Sequence, residues 1–483
     1  MSEISFKKLK QHFKDSSDIE LRPIQIGSTD ITVYLFCIDG LTDSRLLDES
    51  ILRPMAVNSK LNSCKTEQEC FDAMLSGSAY HAFAKSADTQ EDLTLLVLNG
   101  MSAIIFDGLK KAILFDVRSF DKRSVAEPEN ETTIKGAKDC FVESLRTNTS
   151  LIRRRIHSPN LVIEQKTMGR VSQTDVAIIY ISDIADEMLV KRVKNQLEDI
   201  DLDNLAAPSF IESFIKPNQF TIFPQVMSSQ RPDRIASNLS DGRVCIIVDG
   251  FPLVYMLPTQ LVSLMQSPED YSQNYITDSI LRAIRFLCLI ISLLLPALYI
   301  AVTGFHSEIL PLEIAVSIQN AKELVPFSSF IETLGLLLSF EIIVEAGTRL
   351  SRTAGQAISI VGALVVGQAV VDANLVSTTV VIIVAVTAIS GFTIPSQDLA
   401  NAVRITRFFI AVSASISGFF GMVSGVIFLL IHLCSLENYG VAYLSPLVDI
   451  KKRKYHDTIF RLPINKFKFR PDNLASKNHR KQR

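Results

Sequence analysis

Tryptophan is absent from the 483 residues, histidine numbers seven, and no two cysteines stand in a CxxC arrangement. The seven cysteines (Cys37, Cys64, Cys70, Cys140, Cys245, Cys288 and Cys434) are odd in number and scattered, which supports neither a disulfide framework nor a zinc site. They read as buried, reduced thiols. GxxxxGK[ST], GxGxxG after a strand and HExxH are all missing, and with them the usual signatures of phosphate-loop, dinucleotide and zinc-hydrolase chemistry. Carboxylate pairs such as Asp201 and Asp203 lie in a polar stretch with no companion base and read as solvated surface. An enzyme is therefore the losing hypothesis, with no cofactor and no metal expected. The first residues lack an apolar signal-peptide core, so the N-terminal half is expected to be cytosolic. A strong basic excess is missing too: the net charge of −2 speaks against a nucleic-acid partner.

What is present is uneven. Residues 1–281 carry 30 basic and 39 acidic side chains, residues 282–442 carry 7 and 9, and residues 443–483 carry 12 and 3, a division of −9, −2 and +9. Phe286 to Thr303 runs 18 residues without a charge, about the length that crosses a ~30 Å hydrocarbon core as a helix. Pro296 within it is tolerated in lipid and predicts a kink. Gln356 to Val371, Leu375 to Ile394 and Phe408 to Leu433 are further apolar runs. Ile309 to Gly347 differs, because Glu313, Lys322, Glu323, Glu332, Glu341 and Glu345 recur among Leu, Ile and Phe. A charge at the bilayer centre costs about 2.5–3.5 kcal/mol, so these glutamates need partners or water. The segment is expected inside an assembly, re-entering partway, or lying at the interface.

Arg282 and Arg285 before the first run, and the basic tail after the last, place both ends in the cytoplasm and ask for an even number of spans. Four spans leave Arg349, Arg352, Arg404 and Arg407 on the far side; five keep them inside and export the tail. The tail, Lys451 to Arg483, interleaves Lys and Arg with Phe460, Phe467 and Phe469. It is expected either to rest on anionic lipid or to be merely solvated.

In the acidic half, strand-like runs ending in turn pairs recur at Thr32–Gly40, Ala103–Gly108, Ala112–Val117, Val176–Asp183 and Arg243–Gly250, the last leading to Leu253–Leu257. Asp-Gly between apolar runs is a hairpin signal, since Gly supplies φ > 0. The order is duplicated: Thr32 to Leu47 and Asp175 to Val190 are each followed, about 70 residues on, by such a hairpin. The expected fold is an α/β N-terminal cytosolic region of two similar subdomains, 1–117 and 171–281, joined by a linker with a helix at 118–170. An α-helical transmembrane domain, 282–442, and a basic cytosolic tail, 443–483, follow. The linker helix is expected from Asp139 to Ile156, where Arg153, Arg154 and Arg155 complement its dipole or touch an acidic neighbouring subunit.

Ala354 to Asp372 carries Gly355, Gly362, Gly367, Ala363 and Ala369, small residues that let helices approach closely in lipid. At 100° per residue Ala354, Ile358, Val361, Val365, Gln368 and Asp372 share one face. Around an axis shared by several copies, Val361 and Val365 would form apolar rings and Gln368 and Asp372 a wet, cation-attracting mouth. Ordinary packing of the two valines, with Asp372 capping the next turn, is the alternative.

PNLVIEQKTMGR (159–170), FPQVMSSQRPDRIASNLSDGRVCIIVDGFP (223–252), QSPEDY (266–271), LLLPALYIAVTGFH (293–306) and GQAISIVGALVVGQAVVDANLVS (355–377) together resemble the A subunit of GerA-type nutrient germinant receptors of bacterial spores. The resemblance covers about residues 118–446 and only loosely the first 110 or so. It implies a multi-pass subunit of the inner spore membrane that triggers germination. It also implies a homo-oligomeric, pentameric ring that conducts ions when nutrient binds, with a transporter-like B subunit and a lipoprotein C subunit as partners. By the same resemblance, Val361, Val365 and Gln368 match the family's small-residue helix. Arg231, Pro232, Asp233, Gly242, Arg243, Asp249 and Gly250 match its ERPD and EGRVxxLVDG segment, and Glu332, Glu341 and Glu345 are structural or interface candidates. Departures stand at Gln230, Lys322, Val344 and Ser351; at 322 and 344 a fork-shaped donor is lost, which weakens any bidentate carboxylate contact. A non-conducting scaffold that docks the transporter-like partner is the competing function, motivated by the glutamate-rich segment.

Overall fold

The computed structural model describes residues 3–79, 81, 83–118, 131, 133, 135–205, 207–349, 367–448, 457–466, 468–471, 474 and 476–482. Two compact units emerge. One comprises Met1–Pro217, Val226–Pro258 and Phe467–Arg483; the other comprises Asn218–Gln225 and Thr259–Lys466.

The first unit contains two five-stranded sheets. One is built from β1 (Ile19–Gln25), β2 (Thr32–Ile38), β3 (Ala84–Ala87), β4 (Ser102–Phe106) and β5 (Lys111–Phe115), in the order β1-β2-β4-β5-β3. The other uses β6 (Leu161–Met168), β7 (Thr174–Ile181), β8 (Met227–Ser229), β9 (Val244–Val248) and β10 (Val254–Leu257), in the order β6-β7-β9-β10-β8. The two orders are the same, and every pairing is antiparallel. The central strands read as unbroken apolar runs because both faces are covered. Side chains alternate across a strand, so Val33, Leu35, Ile104, Phe106, Ile113 and Phe115 face one core while Phe36, Ile38, Ala103, Ile105 and Leu114 face another. The expected hairpins at Asp107-Gly108 and Asp249-Gly250 join β4 to β5 and β9 to β10, with Gly250 at φ +88°.

Capping residues set the helices between the strands. α1 (Gln90–Leu98) starts where Thr89 accepts from the Asp92 amide. The linker helix is shorter than expected: α2 spans Leu145–Arg153, not Asp139 to Ile156. Ser144 caps it, and the Asn148 side chain holds the Val142 backbone through both its oxygen (2.8 Å) and its nitrogen (2.5 Å), keeping the preceding residues out of the helix. α3 (Glu187–Glu198) follows β7 behind an Asp186 cap, and α4 (Pro232–Ser240) opens on a proline at its first turn.

Arg153 stands in the last turn of α2, where its charge complements the helix dipole, and its acidic partner comes from its own chain. Its guanidinium is 1% exposed and grips Asp18, 4% exposed, through Nε (2.7 Å) and Nη2 (3.0 Å). Arg155 pairs with Asp139. The end of the basic tail is likewise engaged within this unit: Arg470 donates to the carbonyls of Ser240, Asn478 and Arg480, Lys477 pairs with Glu187 at 2.7 Å, and Lys481 pairs with Asp241. Four cysteines are buried, Cys64 and Cys288 are half-buried, and Cys434 is exposed, against the expectation of burial throughout.

The second unit is helical. α5 (Tyr275–Phe305) includes the first apolar run and carries Pro296 inside it. The amphipathic stretch divides into α6 (Leu312–Lys322) and α7 (Ser329–Arg349). After them come α8 (Gly367–Asp372), α9 (Thr378–Phe392) and α10 (Gln397–Ser435). Among the described residues, α5 and, counted over its whole length, α10 are long and apolar enough to cross a membrane, while α9 is shorter.

α10 does not run straight. Ser417 (φ −138°) and Gly418 (φ +60°, ψ −133°) break it, and the two arms fold against each other: the rings of Phe409 and Phe428 lie 5.7 Å apart, and a Cβ on Gly425 would stand 3.7 Å from the Ile410 Cα. The run Phe408 to Leu433, expected as one pass, is therefore a helical hairpin. Its apex rests on the end of α5, where a Cβ on Gly418 would lie 2.9 Å from that of Phe305. A φ/ψ pair of this kind belongs essentially to glycine.

Gly418→Ala should open this hairpin, at a cost of about 1–3 kcal/mol; a double spin-label distance between positions 409 and 428 in detergent would lengthen, and an unchanged distance would refute the constraint. At the other end of the chain, the Lys477 ammonium holds the Glu187 carboxyl below its ordinary value of 4.5. That contribution is complete above pH 4.5 and is lost as pH falls through the lowered value. Hydrogen exchange at the Lys477 amide, which bonds the Ile184 carbonyl, should accordingly speed up on acidification once corrected for the intrinsic rate.

Candidate functional site

Three arginines and three aspartates interlock at the foot of α5. Asp270, within the QSPEDY segment, has its backbone shaped by a capping box with Ser267. Its carboxylate accepts from Arg282 Nε at 2.8 Å and from both terminal nitrogens of Arg285 at 3.1 Å. Arg282 also binds Asp457 and the Thr458 carbonyl, and Arg461 binds Asp278 (2.7 Å) and the Asp270 carbonyl (2.6 Å). Arg282, Asp270 and Asp278 are each at most 2% exposed. Arg282 and Arg285, counted above as topogenic charges, thus also serve as ion-pair partners, and Arg282 together with Asp278 ties residues 457–461 to the first long helix. With each acid matched by a guanidinium, the cluster has no net charge to attract a metal, and among the described residues no group of three His, Cys, Asp or Glu is arranged to hold one.

Further along the helices, the glutamates acquire the partners that burial demands. Glu332, near the start of α7, is buried; its Oε2 accepts from the Ser377 amide at 3.0 Å, and Lys322 Nζ stands 3.6 Å from its Oε1. That second oxygen has no hydrogen-bond partner among the described residues, nor do the hydroxyls of Tyr299 and Ser377. The point-charge lysine at 322 thus reaches the acid from one side only. Glu341 faces two cations, Arg407 in direct contact and Arg404 at 3.7 Å. Arg404 and Arg407 are therefore drawn into the helix packing by an acid on α7, whereas charge counting treated them as loop residues. Glu345 pairs with Arg349 one turn on, at an exposed position.

Of the face singled out on the 354–372 helix, Val361 and Val365 lie outside the described residues. Gln368 and Asp372 are on α8, where both are exposed and no residue is buried.

The motif residues of the first unit converge on the second sheet. Arg231, 1% exposed, caps α4 and forks onto Asp233 (3.1 and 2.7 Å), with its remaining nitrogen on the Glu131 carbonyl and Thr133. Pro232 starts α4. Gly242, at φ +101°, lets the tail approach: a Cβ there would stand 3.2 Å from that of Ser476. Arg243 is buried beside β9. Asp249 accepts from the Leu145 amide at 2.8 Å, at the start of α2, and the Gly250 amide donates to the Glu143 carbonyl. These residues shape the backbone around the second sheet.

The chain matches, over residues 7–473, the family model described as Bacillus/Clostridium GerA spore germination protein. The chain belongs to the GerA family. It is 37% identical to spore germination protein KA of Bacillus subtilis (strain 168) over 474 residues, covering 98% of this chain and 86% of that protein. To spore germination protein B1 of the same organism it is 34% identical over 475 residues, covering 98% and 97%. The crystal structure of the N-terminal domain of the A subunit of the Bacillus megaterium spore germinant receptor GerK3 is 27% identical, covering 53% of this chain and 96% of that one, with a TM-score of 0.43.

Two features of this GerA-family chain escaped sequence reading. The glycine spacing 418, 421, 425 is a signal for close helix approach, which the unbroken hydropathy of the run 408–433 masks. The pairing of Asp457 and Arg461 with the foot of α5 had no local signal, because the partners are separated by about 180 residues. Asp270→Asn should leave two arginines with a halved partner and cost about 3–5 kcal/mol; thermal unfolding of the full chain in detergent would fall accordingly, and an unchanged transition would remove the cluster from the stability argument.

Proposed function

We propose that this GerA-family chain is the membrane subunit of a spore nutrient receptor in which several copies arrange the 354–372 helix around a common ion path. The observation that carries the reading is α8: both Gln368 and Asp372 are exposed, with no cover among the described residues. An aspartate facing lipid is costly, whereas one facing water or a second copy is not. In this reading Val361 and Val365 form the dry constriction, and Gln368 and Asp372 the cation-attracting mouth. The ring is pentameric, and the partners are a transporter-like B subunit and a lipoprotein C subunit.

The location follows as part of the same proposal: a multi-pass protein of the inner spore membrane, with the N-terminal region and tail in the cytosol. Arg461 paired with Asp278 brings the chain after the last helix back to the foot of the first, which supports an even number of passes. The matching strand orders support reading the sheets as two copies of one α/β subdomain. For the competing scaffold role, the uncovered α6 is the favourable observation, since no residue of it is buried. Against it, Glu332 and Glu341, which motivated docking, are occupied within the chain.

Val361→Ala should leak ions from proteoliposomes without nutrient, and Asp372→Asn should reduce cation preference. If neither substitution alters flux or its trigger, the pore assignment fails; current from this chain alone would dismiss the scaffold.

A further inference from the structure

Residues 218–225 form a loop of the helical unit, inserted between stretches of chain that belong to the other. The loop is fastened to the last turn of α10. Thr221 Oγ1 lies 2.9 Å from His432 Nε2, the Phe223 ring packs 6.1 Å from the same imidazole, and the buried Gln225 holds the Asn218 amide at 2.9 Å and receives the Asn438 side chain on its carbonyl. The loop's first residues, 218–220, are exposed, and its last, 223–225, are buried. Phe223 is 5% exposed, whereas Phe220 is 97% and Ile222 49% exposed. A fully exposed phenylalanine on a loop held this firmly has nothing of its own unit to cover it.

Its surroundings indicate the occupant. Phe428, one turn before His432, and Ile431, just before it, are 63% and 64% exposed, so the end of α10 on which the loop is fastened is itself apolar and uncovered. The loop itself, Asn-Gln-Phe-Thr-Ile-Phe-Pro-Gln, carries no charge, which leaves an ionic partner nothing to pair with. Aromatic and aliphatic side chains beside a polar backbone suit the boundary between headgroups and acyl chains.

We propose that the 218–225 loop is a membrane-interface anchor, with Phe220 and Ile222 entering the bilayer at the C-terminal end of α10. The inference rests on the membrane reading of α10 given above. The sequence lacks tryptophan, so Phe220→Trp in the full chain supplies a single indole reporter, and Phe428→Trp supplies a second protein whose reporter lies on α10 itself. In vesicles, the indole at 220 should emit to the blue of a water-exposed indole and lose most of its intensity to lipids brominated near the headgroup, less to lipids brominated at the chain end. If the Phe428 reporter is quenched by brominated lipid while the Phe220 reporter keeps its emission in all of them, the anchor is overturned, whether water or a second protein surrounds the loop. If neither is quenched, the membrane reading of α10 falls and takes the anchor with it.

Discussion

A polar group among apolar helices needs a partner, and the helical unit is organised around that requirement. Asp270 collects Arg282 and Arg285, Asp278 takes Arg461, Glu332 takes the Ser377 amide with Lys322 nearby, and Glu341 takes Arg407 with Arg404 beyond. The Asp278–Arg461, Glu332–Ser377 and Glu341–Arg407 contacts also join segments far apart in the chain, so charge satisfaction and tertiary architecture are one problem here. Replacing a buried pair with apolar side chains is often neutral for stability, whereas removing one partner is not. The pairs accordingly act as selectors of which helices meet. Asp372 stands apart because its exposure on α8 leaves its solvation to water or to another molecule.

Local patterns made much of the first unit legible. Unbroken apolar runs and Asp-Gly turns located the central strands of both sheets, whose strand orders match. What local patterns do not contain is pairing direction for the short edge strands β3 and β8, or the place of Arg153, whose partner Asp18 lies 135 residues earlier. The length of α2 was misjudged because helical periodicity ignores a side chain such as Asn148 that competes for the backbone just before the helix. The apolar stretch after residue 282 was equally plain, but hydropathy averages over direction. It cannot register that Gly418 reverses the chain, since a reversal of two residues leaves the mean untouched.

For the candidate site, residue types were easier to read than roles. The long motifs pointed to the GerA family before any geometry, and the family match over residues 7–473 agrees. The motif residues of the first unit then proved to be caps, turns and a buried fork, positions where backbone geometry restricts the choice of side chain. Glu332 and Glu341 looked like an interface because unpaired acids in an apolar segment ask for an outside partner; their cations came from elsewhere in the same chain.

The two units are interleaved in the order of the chain. The backbone leaves one for the other after Pro217, returns after Gln225, leaves again after Pro258 and returns once more after Lys466. No single cut therefore yields either unit complete. An expression fragment stopped at residue 258 would keep the 218–225 loop but lose the helix turn it docks on, and it would forfeit the closing stretch whose Ser476 sits against Gly242. Inheritance feels the same restriction, since swapping the first half of one relative onto the helices of another by a single crossover would separate segments that have to match.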